Sequence, residues 1–207
     1  MKFFPDNIYH IYNQGNNQQL IFRTDEDYLI FLKMLREHVH THVEIIAWVL
    51  MPNHFHLLVY TEEKSCIMTK QGGLEIEKLT NGIRKLLSGY ARIYNKRYQQ
   101  TGSLFRQKTK SKNVAESGCV IRQRYNLQDY CSNYFSYIHQ NPVLAVLIKN
   151  AGDWQLSSYI NYAGLRKGSL CNKVLATKYC GYEEKDFVTQ NNKKLDDDFI
   201  GFFEKDC

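Results

Sequence analysis

From Val43 to Val59 the chain holds two β-type apolar runs split by Pro52-Asn53, and this pairing limits the fold more than any other stretch. Val43, Ile45, Ile46, Val49 and Leu50 lead into the turn, while Leu57, Leu58 and Val59 follow it. That is the pattern of two strands joined by a tight connection. The first run is apolar on both faces apart from Glu44, as a central strand would be. The second opens with His54-Phe55-His56. Side chains alternate faces along a strand, so both imidazoles project from one face and Phe55 from the other. Two imidazoles so placed have the geometry of a metal clamp. The same spacing also suits two half-buried histidines with satisfied hydrogen bonds, so other parts of the chain must decide.

Around this pair the periodicity predicts a mixed order of strands and helices. Ile8-Tyr9-His10-Ile11-Tyr12 reads as a first strand, ended by a turn at Gly15-Asn16-Asn17. Thr24 is the expected N-cap of a helix that starts on Asp25-Glu26-Asp27 and runs to about His40. Residues 61–73 read as a loop. Leu79, Ile83, Leu86, Leu87, Tyr90 and Ile93 then recur at helical spacing, predicting a helix from about Leu74 to Arg97 that Gly82 and Gly89 weaken slightly. Leu104-Phe105-Arg106 reads as a short fourth strand, and Asn113 to Asn126 shows no clear period. A further helix is expected from Asp129, stopping near Asn141 because Pro142 disfavours helical geometry in the residue before it.

Composition narrows the function classes. At 207 residues, with 43% hydrophobic and 23% charged residues, the chain reads as a soluble globular protein with one sizeable core. No apolar run approaches the roughly 18 residues of a membrane span. Met1 to Asn7 carries one lysine and no apolar targeting core, so a cytoplasmic location is expected. Cys66, Cys119, Cys131, Cys171, Cys180 and Cys207 lie far apart with no Cys-x-x-Cys pair, which points to reduced thiols rather than a zinc ribbon or disulfide scaffold. Between Lys78 and Arg124 there are twelve Lys or Arg against the single acid Glu116, whereas Glu183 to Asp206 has eight acids against four lysines. A basic centre with an acidic tail points to a polyanion partner for the middle of the chain; a solvated helix face would give the same centre. Within it Arg84, Lys85, Arg92, Lys96, Arg97, Arg106, Lys108, Lys110 and Lys112 are the candidate DNA-binding residues.

Tyr130, Tyr134, Tyr137 and Asn141 are spaced by four, three and four residues, so they share one helix face. Alone this is an aromatic packing stripe. Beside two imidazoles it acquires chemistry. A tyrosine hydroxyl, with an ordinary pKa of about 10, needs an electrophile made more reactive by a cation. A divalent metal held by His54, His56 and a side-chain oxygen would polarise a phosphate, with Asn141 the candidate third ligand. Tyr90, Tyr94, Tyr98 and Phe105, interleaved with the cations, are candidates to stack on unpaired bases.

These residues together resemble the REP-associated tyrosine transposases, a branch of the single-tyrosine HUH nuclease-transposases related to those of small bacterial insertion sequences. The resemblance rests on Gly15-Asn16-Asn17 with Ile21-Phe22, the run Ala47 to Val59, and Tyr90-Ala91-Arg92 with Tyr94-Asn95. It continues with Thr101 to Phe105, Tyr137 to Val143, and Asp153-Trp154 with Ser157-Ser158-Tyr159, in family order across roughly residues 8–164. It implies an α+β, ferredoxin-like (RRM-like) fold, an antiparallel sheet with helices packed on it. A catalytic domain over 1–164 would be followed by a partly acidic extension over 165–207. It also implies that His54, His56 and Asn141 hold Mg²⁺ or Mn²⁺, and that Tyr137 attacks single-stranded or hairpin DNA to leave a 5′-phosphotyrosine and a free 3′-hydroxyl. The family works as monomer or homodimer.

Departures fall on recognition rather than chemistry. Gln14 and Gln18 stand where the family usually has arginines, and Arg106-Gln107-Lys108 replaces the usual glycine-arginine. Tyr134 is the fallback nucleophile, one turn before Tyr137 on the same face. His10 and His139 read as structural or DNA-contacting histidines. Two other functions compete. A non-catalytic nucleic-acid-binding module would use the same sheet and basic helix, and a hydrolase of small phosphate esters would use His54 and His56 to activate water. The hydrolase lacks an obvious acidic base on the histidine strand or the Tyr137 face.

Overall fold

The computed structural model describes residues 1–117, 126–193, 195 and 199. Cys119, Arg122, Arg124, Cys207 and much of the acidic tail lie outside the described residues. In chain order the elements are β1 (Asn7–Gln14), α1 (Asp25–Leu35), β2 (Val43–Met51), β3 (His54–Thr61), α2 (Glu63–Cys66), β4 (Met68–Gln71) and β5 (Leu74–Glu77). They continue with α3 (Lys78–Arg97), β6 (Lys110–Asn113), α4 (Val114–Ser117), α5 (Leu127–Leu144), α6 (Tyr159–Tyr162), α7 (Lys173–Cys180) and α8 (Phe187–Asn191). The main sheet is antiparallel with order β2-β3-β1-β6. Counting β6 as the fourth strand of a β-α-β-β-α-β chain, this is the ferredoxin-like arrangement that the family resemblance implies.

Strand alternation sorts the side chains into two cores. Phe55, Leu57 and Val59 of β3 meet Phe31 and Leu35 of α1 and Leu79, Ile83, Leu86 and Tyr90 of α3 on one face. Leu58, with Ile46, Val49 and Met51 of β2, meets Tyr134, Phe135, Tyr137 and Ile138 of α5 on the other. Ala176, Cys180 and Phe187 belong to this second core, so α7 and α8, in the segment read as an extension, pack on the same layer as α5. The outer edge of β2 is covered as well. Leu50 N donates to Leu156 O at 2.9 Å, Ser158 N to Trp48 O at 2.9 Å, and Asn172 N to Ile45 O at 2.8 Å. Covering that row of backbone groups removes a site for edge-to-edge pairing.

Several boundaries differ from the sequence reading, each for a physical reason. Residues 61–73 are not simply a loop. They hold α2 and β4, and Gly72 and Gly73 (φ 57° and 83°) supply the left-handed turn that pairs β4 with β5, so α3 begins at Lys78. Leu104-Phe105-Arg106 is not the fourth strand. Leu104 and Phe105 enter the same core instead of alternating, and an isolated bridge from Gly15 to Phe105, not a ladder, joins them to the end of β1. The fourth strand is the polar Lys-Ser-Lys-Asn of β6, whose edge position needs no apolar run. Helix α5 runs past Asn141 to Leu144 with Pro142 inside it. The proline removes one ladder donor, but Ile138 and Pro142 are buried and carry the last turn on.

The start of α1 is anchored by Asp27, which accepts from Arg23 N (2.9 Å), Thr24 N (3.1 Å), Tyr98 Oη (2.7 Å) and Arg97 Nη1 (2.9 Å). Burial pushes the Asp27 carboxyl up, but the Tyr98 hydroxyl, the two backbone amides and the Arg97 charge outweigh it and hold it below its ordinary value. The four described cysteines, Cys66, Cys131, Cys171 and Cys180, are free thiols. Among the described residues no helix is long and apolar enough to cross a membrane.

Candidate active site

The register places the site. His54 pairs with Gln14 and Met51, and His56 with Tyr12 and Val49. On the other side of β1, Lys110 pairs with Tyr12 and Lys112 with His10. Directly paired residues share a face, so His10, Tyr12, His54, His56, Lys110 and Lys112 all stand on the side of the sheet that α5 covers. Trp48, Leu50 and Phe55 fill the opposite core.

Helix α5 brings its stripe to this face within one chain. His54 Nε2 lies 3.0 Å from Asn141 Oδ1, and the Tyr137 ring stands edge-on to His56 with centroids 5.6 Å apart. Tyr137 is 5% exposed and Tyr134 0%, and the Tyr134 ring packs 5.1 Å from His10 rather than on His56. The capping pair Asn126 and Asp129 starts α5, with Asp129 N donating to Asn126 Oδ1 at 3.0 Å and Asn126 N to Asp129 Oδ2 at 2.9 Å. With 3.6 residues per turn, Tyr137 and Asn141, four apart, then stand one above the other.

The histidines are neutral. Burial pushes His56 well below its ordinary value, with His54 and His10 adding to the effect. Burial also lowers His54, against the Asn141 hydrogen bond that raises it. Burial, then the Lys112 charge, bring His10 down to about 3. A neutral imidazole has one N–H, yet His54 Nδ1 lies 2.6 Å from Asn53 Oδ1 while Nε2 faces Asn141 Oδ1. With the proton given to Asn53, His54 Nε2 and Asn141 Oδ1 present two lone pairs to one another at 3.0 Å. Adjacent ligands of an octahedral ion with bonds of about 2.1 Å lie about 3 Å apart. Turning the Asn141 amide by half a turn satisfies the metal-free pair equally, so the stronger sign is His56 Nε2, buried with no hydrogen-bond partner among the described residues. The donor set therefore fits a divalent cation. It depends on the carboxamide, because no group of three or more His, Cys, Asp or Glu forms among the described residues.

A pocket of about 250 Å³ opens on His54 and His56 and is lined also by Tyr12, Asn13, Gln14, Gln18, Asn53, Arg106, Lys108 and Lys110. Of the candidate DNA-binding residues, Arg106, Lys108 and Lys110 thus border the histidines. The same three continue over the strand edge into an open groove against α3, where Arg84 joins them. Lys112 stands beside His10 on β6. Lys85, Arg92 and Lys96 are exposed on α3 and line neither depression. Arg97 is held by Asp27 and by Glu26 at 2.7 Å. Gln14 and Gln18, where the sequence departs from the arginines of the family it resembles, both line the histidine pocket.

The aromatic residues expected to stack on bases are mostly structural. Tyr90 and Tyr94 are each 1% exposed, and their hydroxyls donate to Ile21 O (2.5 Å) and Leu20 O (2.7 Å). Phe105 is buried, and the Tyr98 hydroxyl bonds to Asp27. They tie the β1–α1 connection to α3, a use that helical spacing does not reveal. His10, which reads from sequence as structural or DNA-contacting, lies behind the site, with its Nε2 2.9 Å from His56 Nδ1. The signal was there in strand parity: His10 and Tyr12 are two apart, like His54 and His56.

His139 has no place in the site. It points away from His54 and its Nε2 meets Ser158 Oγ at 2.7 Å. Burial takes it down to about 3, with the nearby Asn191 carboxamide opposing the shift. A histidine lowered from 6.5 on folding gives stability that is whole above pH 6.5 and is lost as pH falls towards 3, because only the unfolded chain binds the proton. Urea unfolding measured from pH 7.5 to 4.5 should therefore show stability falling below pH 6.5. His139→Gln should remove up to about 1.4 kcal/mol per pH unit from that slope. An unchanged slope would mean that His139 protonates in the folded state.

No family model matches this chain, and no curated protein does. Among solved structures, a REP-associated tyrosine transposase bound to a REP hairpin superposes with a TM-score of 0.53 at 17% identity, over 83% of this chain and 92% of the other. A bacterial tRNA(His) guanylyltransferase-like protein matches with TM-scores of 0.36 in both its GTP and ATP complexes. The identities are 7% and 10%, the coverage 72% and 75% of this chain and 72% and 71% of the others. The first likeness establishes that this chain has the fold of that transposase.

Proposed function

We propose that the chain is a metal-dependent single-stranded DNA endonuclease and strand transferase that cuts hairpin or repeat sequences by tyrosine attack. The observation that carries this reading is the meeting of two distant segments: α5 sets Asn141 Oδ1 3.0 Å from His54 Nε2 and Tyr137 edge-on to His56. The fold likeness to a transposase bound to a DNA hairpin supports the choice of substrate.

In this reading His54, His56 and Asn141 would hold Mg²⁺ or Mn²⁺, which would supply Lewis-acid polarisation of a phosphate oxygen. The Tyr137 oxygen attacks phosphorus and loses its proton. The P–O3′ bond breaks, giving a 5′-phosphotyrosine and a 3′-hydroxyl, and the reverse transesterification rejoins the strand without ATP. Arg106, Lys108 and Lys110 neutralise the phosphates that flank the scissile bond at the pocket rim.

Incubation with hairpin-bearing single-stranded DNA and Mn²⁺, followed by denaturing electrophoresis and mass mapping, should place a covalent nucleotide on the peptide containing Tyr137, and chelator should prevent it. Binding without any adduct, indifferent to chelator and to His54→Ala, would establish the non-catalytic binding module instead. Single-strand affinity should also fall with salt, and Lys108→Ala and Lys110→Ala should each reduce the log–log salt slope by about 0.7. An unchanged slope would remove those lysines from the DNA path.

A further inference from the structure

His10 is 3% exposed and sits at the centre of the candidate site without facing its pocket. Its ring lies nearly parallel to His56 (11°, centroids 5.0 Å) and to Tyr12 (20°, 4.8 Å), and Tyr134 of α5 closes on it at 5.1 Å. Between the two imidazoles, His10 Nε2 and His56 Nδ1 are 2.9 Å apart, with both rings buried. One proton lies between these nitrogens, and which ring carries it decides what His56 shows the pocket.

If His10 donates, neutral His56 must carry its proton on Nε2, which places a buried N–H where no acceptor exists among the described residues. Orphaned donors of that kind are rare, because burial strips them of water without supplying an acceptor. If His56 donates from Nδ1, its Nε2 is a bare lone pair able to bind a cation. We propose that His10 is a positioning residue whose Nε2 accepts the His56 Nδ1–H and so fixes the tautomer and ring angle that turn His56 Nε2 towards the metal. This rests on the reading of His54, His56 and Asn141 as a metal site. A hydrogen-bonded partner behind a ligating imidazole orients it and raises its basicity. Here that partner is another imidazole, packed against the Tyr12 and Tyr134 rings, and it lies two strand positions from Tyr12 at the pocket wall.

The test pairs two variants of the full chain. His10→Phe keeps the ring and its stacking but has no acceptor, whereas His10→Gln carries an oxygen that can reach the place of Nε2. Mn²⁺ affinity, read from the free-ion electron paramagnetic resonance signal, should fall about 10–100-fold in His10→Phe and be largely restored in His10→Gln. Thermal melting of the metal-free proteins identifies any variant that fails to fold. Long-range ¹H–¹⁵N spectra of metal-free wild type should show His56 protonated on Nδ1. Wild-type affinity in a folded His10→Phe, or His56 protonated on Nε2 in the wild type, would overturn the proposal. If the wild type binds no Mn²⁺, the metal-site reading fails separately, and the imidazole spectrum still decides the role of His10.

Discussion

Tyr137→Phe is expected to form no covalent adduct with hairpin-bearing DNA, while Tyr134→Phe retains it. The two tyrosines share a helix face but not an environment. Tyr137 packs edge-on to His56, the histidine whose Nε2 has no hydrogen-bond partner among the described residues. Tyr134 is fully buried one turn back, against His10. Removing the Tyr137 oxygen deletes the proposed nucleophile and almost no packing, because the ring and its contacts stay. Loss of a nucleophile from an assembled site lowers turnover by at least about a thousandfold, so the adduct band should vanish rather than fade. Mn²⁺ binding should persist in Tyr137→Phe, since the hydroxyl is not among the proposed ligands, whereas His56→Ala should lose both binding and adduct. An adduct retained by Tyr137→Phe and lost in Tyr134→Phe would transfer the role to Tyr134.

What the sequence made legible is what short-range periodicity controls. The parity of His54 and His56 and the one-turn spacing of Tyr137 and Asn141 follow from strand and helix geometry alone, and both pairs occupy the faces those periods require. That the two pairs meet is a tertiary fact, suggested by the chemistry of the four residues and by the family resemblance and not by local periodicity, because nothing local links a strand at 54 to a helix at 137. The misreadings have the same origin. Leu104 and Phe105 look like a strand because apolar β-type residues adjoin, yet both serve one core. The true edge strand, Lys110–Asn113, has no apolar residue to announce it. Tyr90 and Tyr94 alternate with cations as a stacking surface would, but their hydroxyls are bound to Ile21 and Leu20 carbonyls far off in the chain. His10 reads from sequence as structural or DNA-contacting, and only the neighbouring strand supplies its partner, His56.

Gly82 and Gly89 are alike by helix propensity, and the structure separates them. Alanine at either position gains about 1 kcal/mol of intrinsic helix stability. At Gly82 a Cβ would fall on the His38 carbonyl oxygen, in the π-helical turn Arg36–His40 that follows α1, and would also crowd the His42 ring at 3.2 Å. That oxygen belongs to backbone and cannot swing aside, so α3 must move off α1. Overpacking of this kind costs about 1–3 kcal/mol and occasionally more, and here it opposes the propensity gain at the centre of the first core. Gly82→Ala should therefore lower the unfolding free energy by about 1 kcal/mol net, or roughly 2–4 °C in melting temperature for a chain of this size. At Gly89 the nearest obstacle is the Met34 methyl at 2.5 Å, the far end of a flexible side chain. Gly89→Ala should be neutral or stabilising by up to about 1 kcal/mol. The consequence reaches the site, because α3 holds the Leu20–Ile21 backbone through Tyr94 and Tyr90, and Ile21 and Phe22 donate to Pro52 O in the turn before His54. A displaced α3 should loosen that turn, so Gly82→Ala should weaken Mn²⁺ binding while Gly89→Ala leaves it unchanged. Equal melting temperatures for the two variants, measured side by side, would show that α1 and α3 tolerate a wider separation than their packing implies.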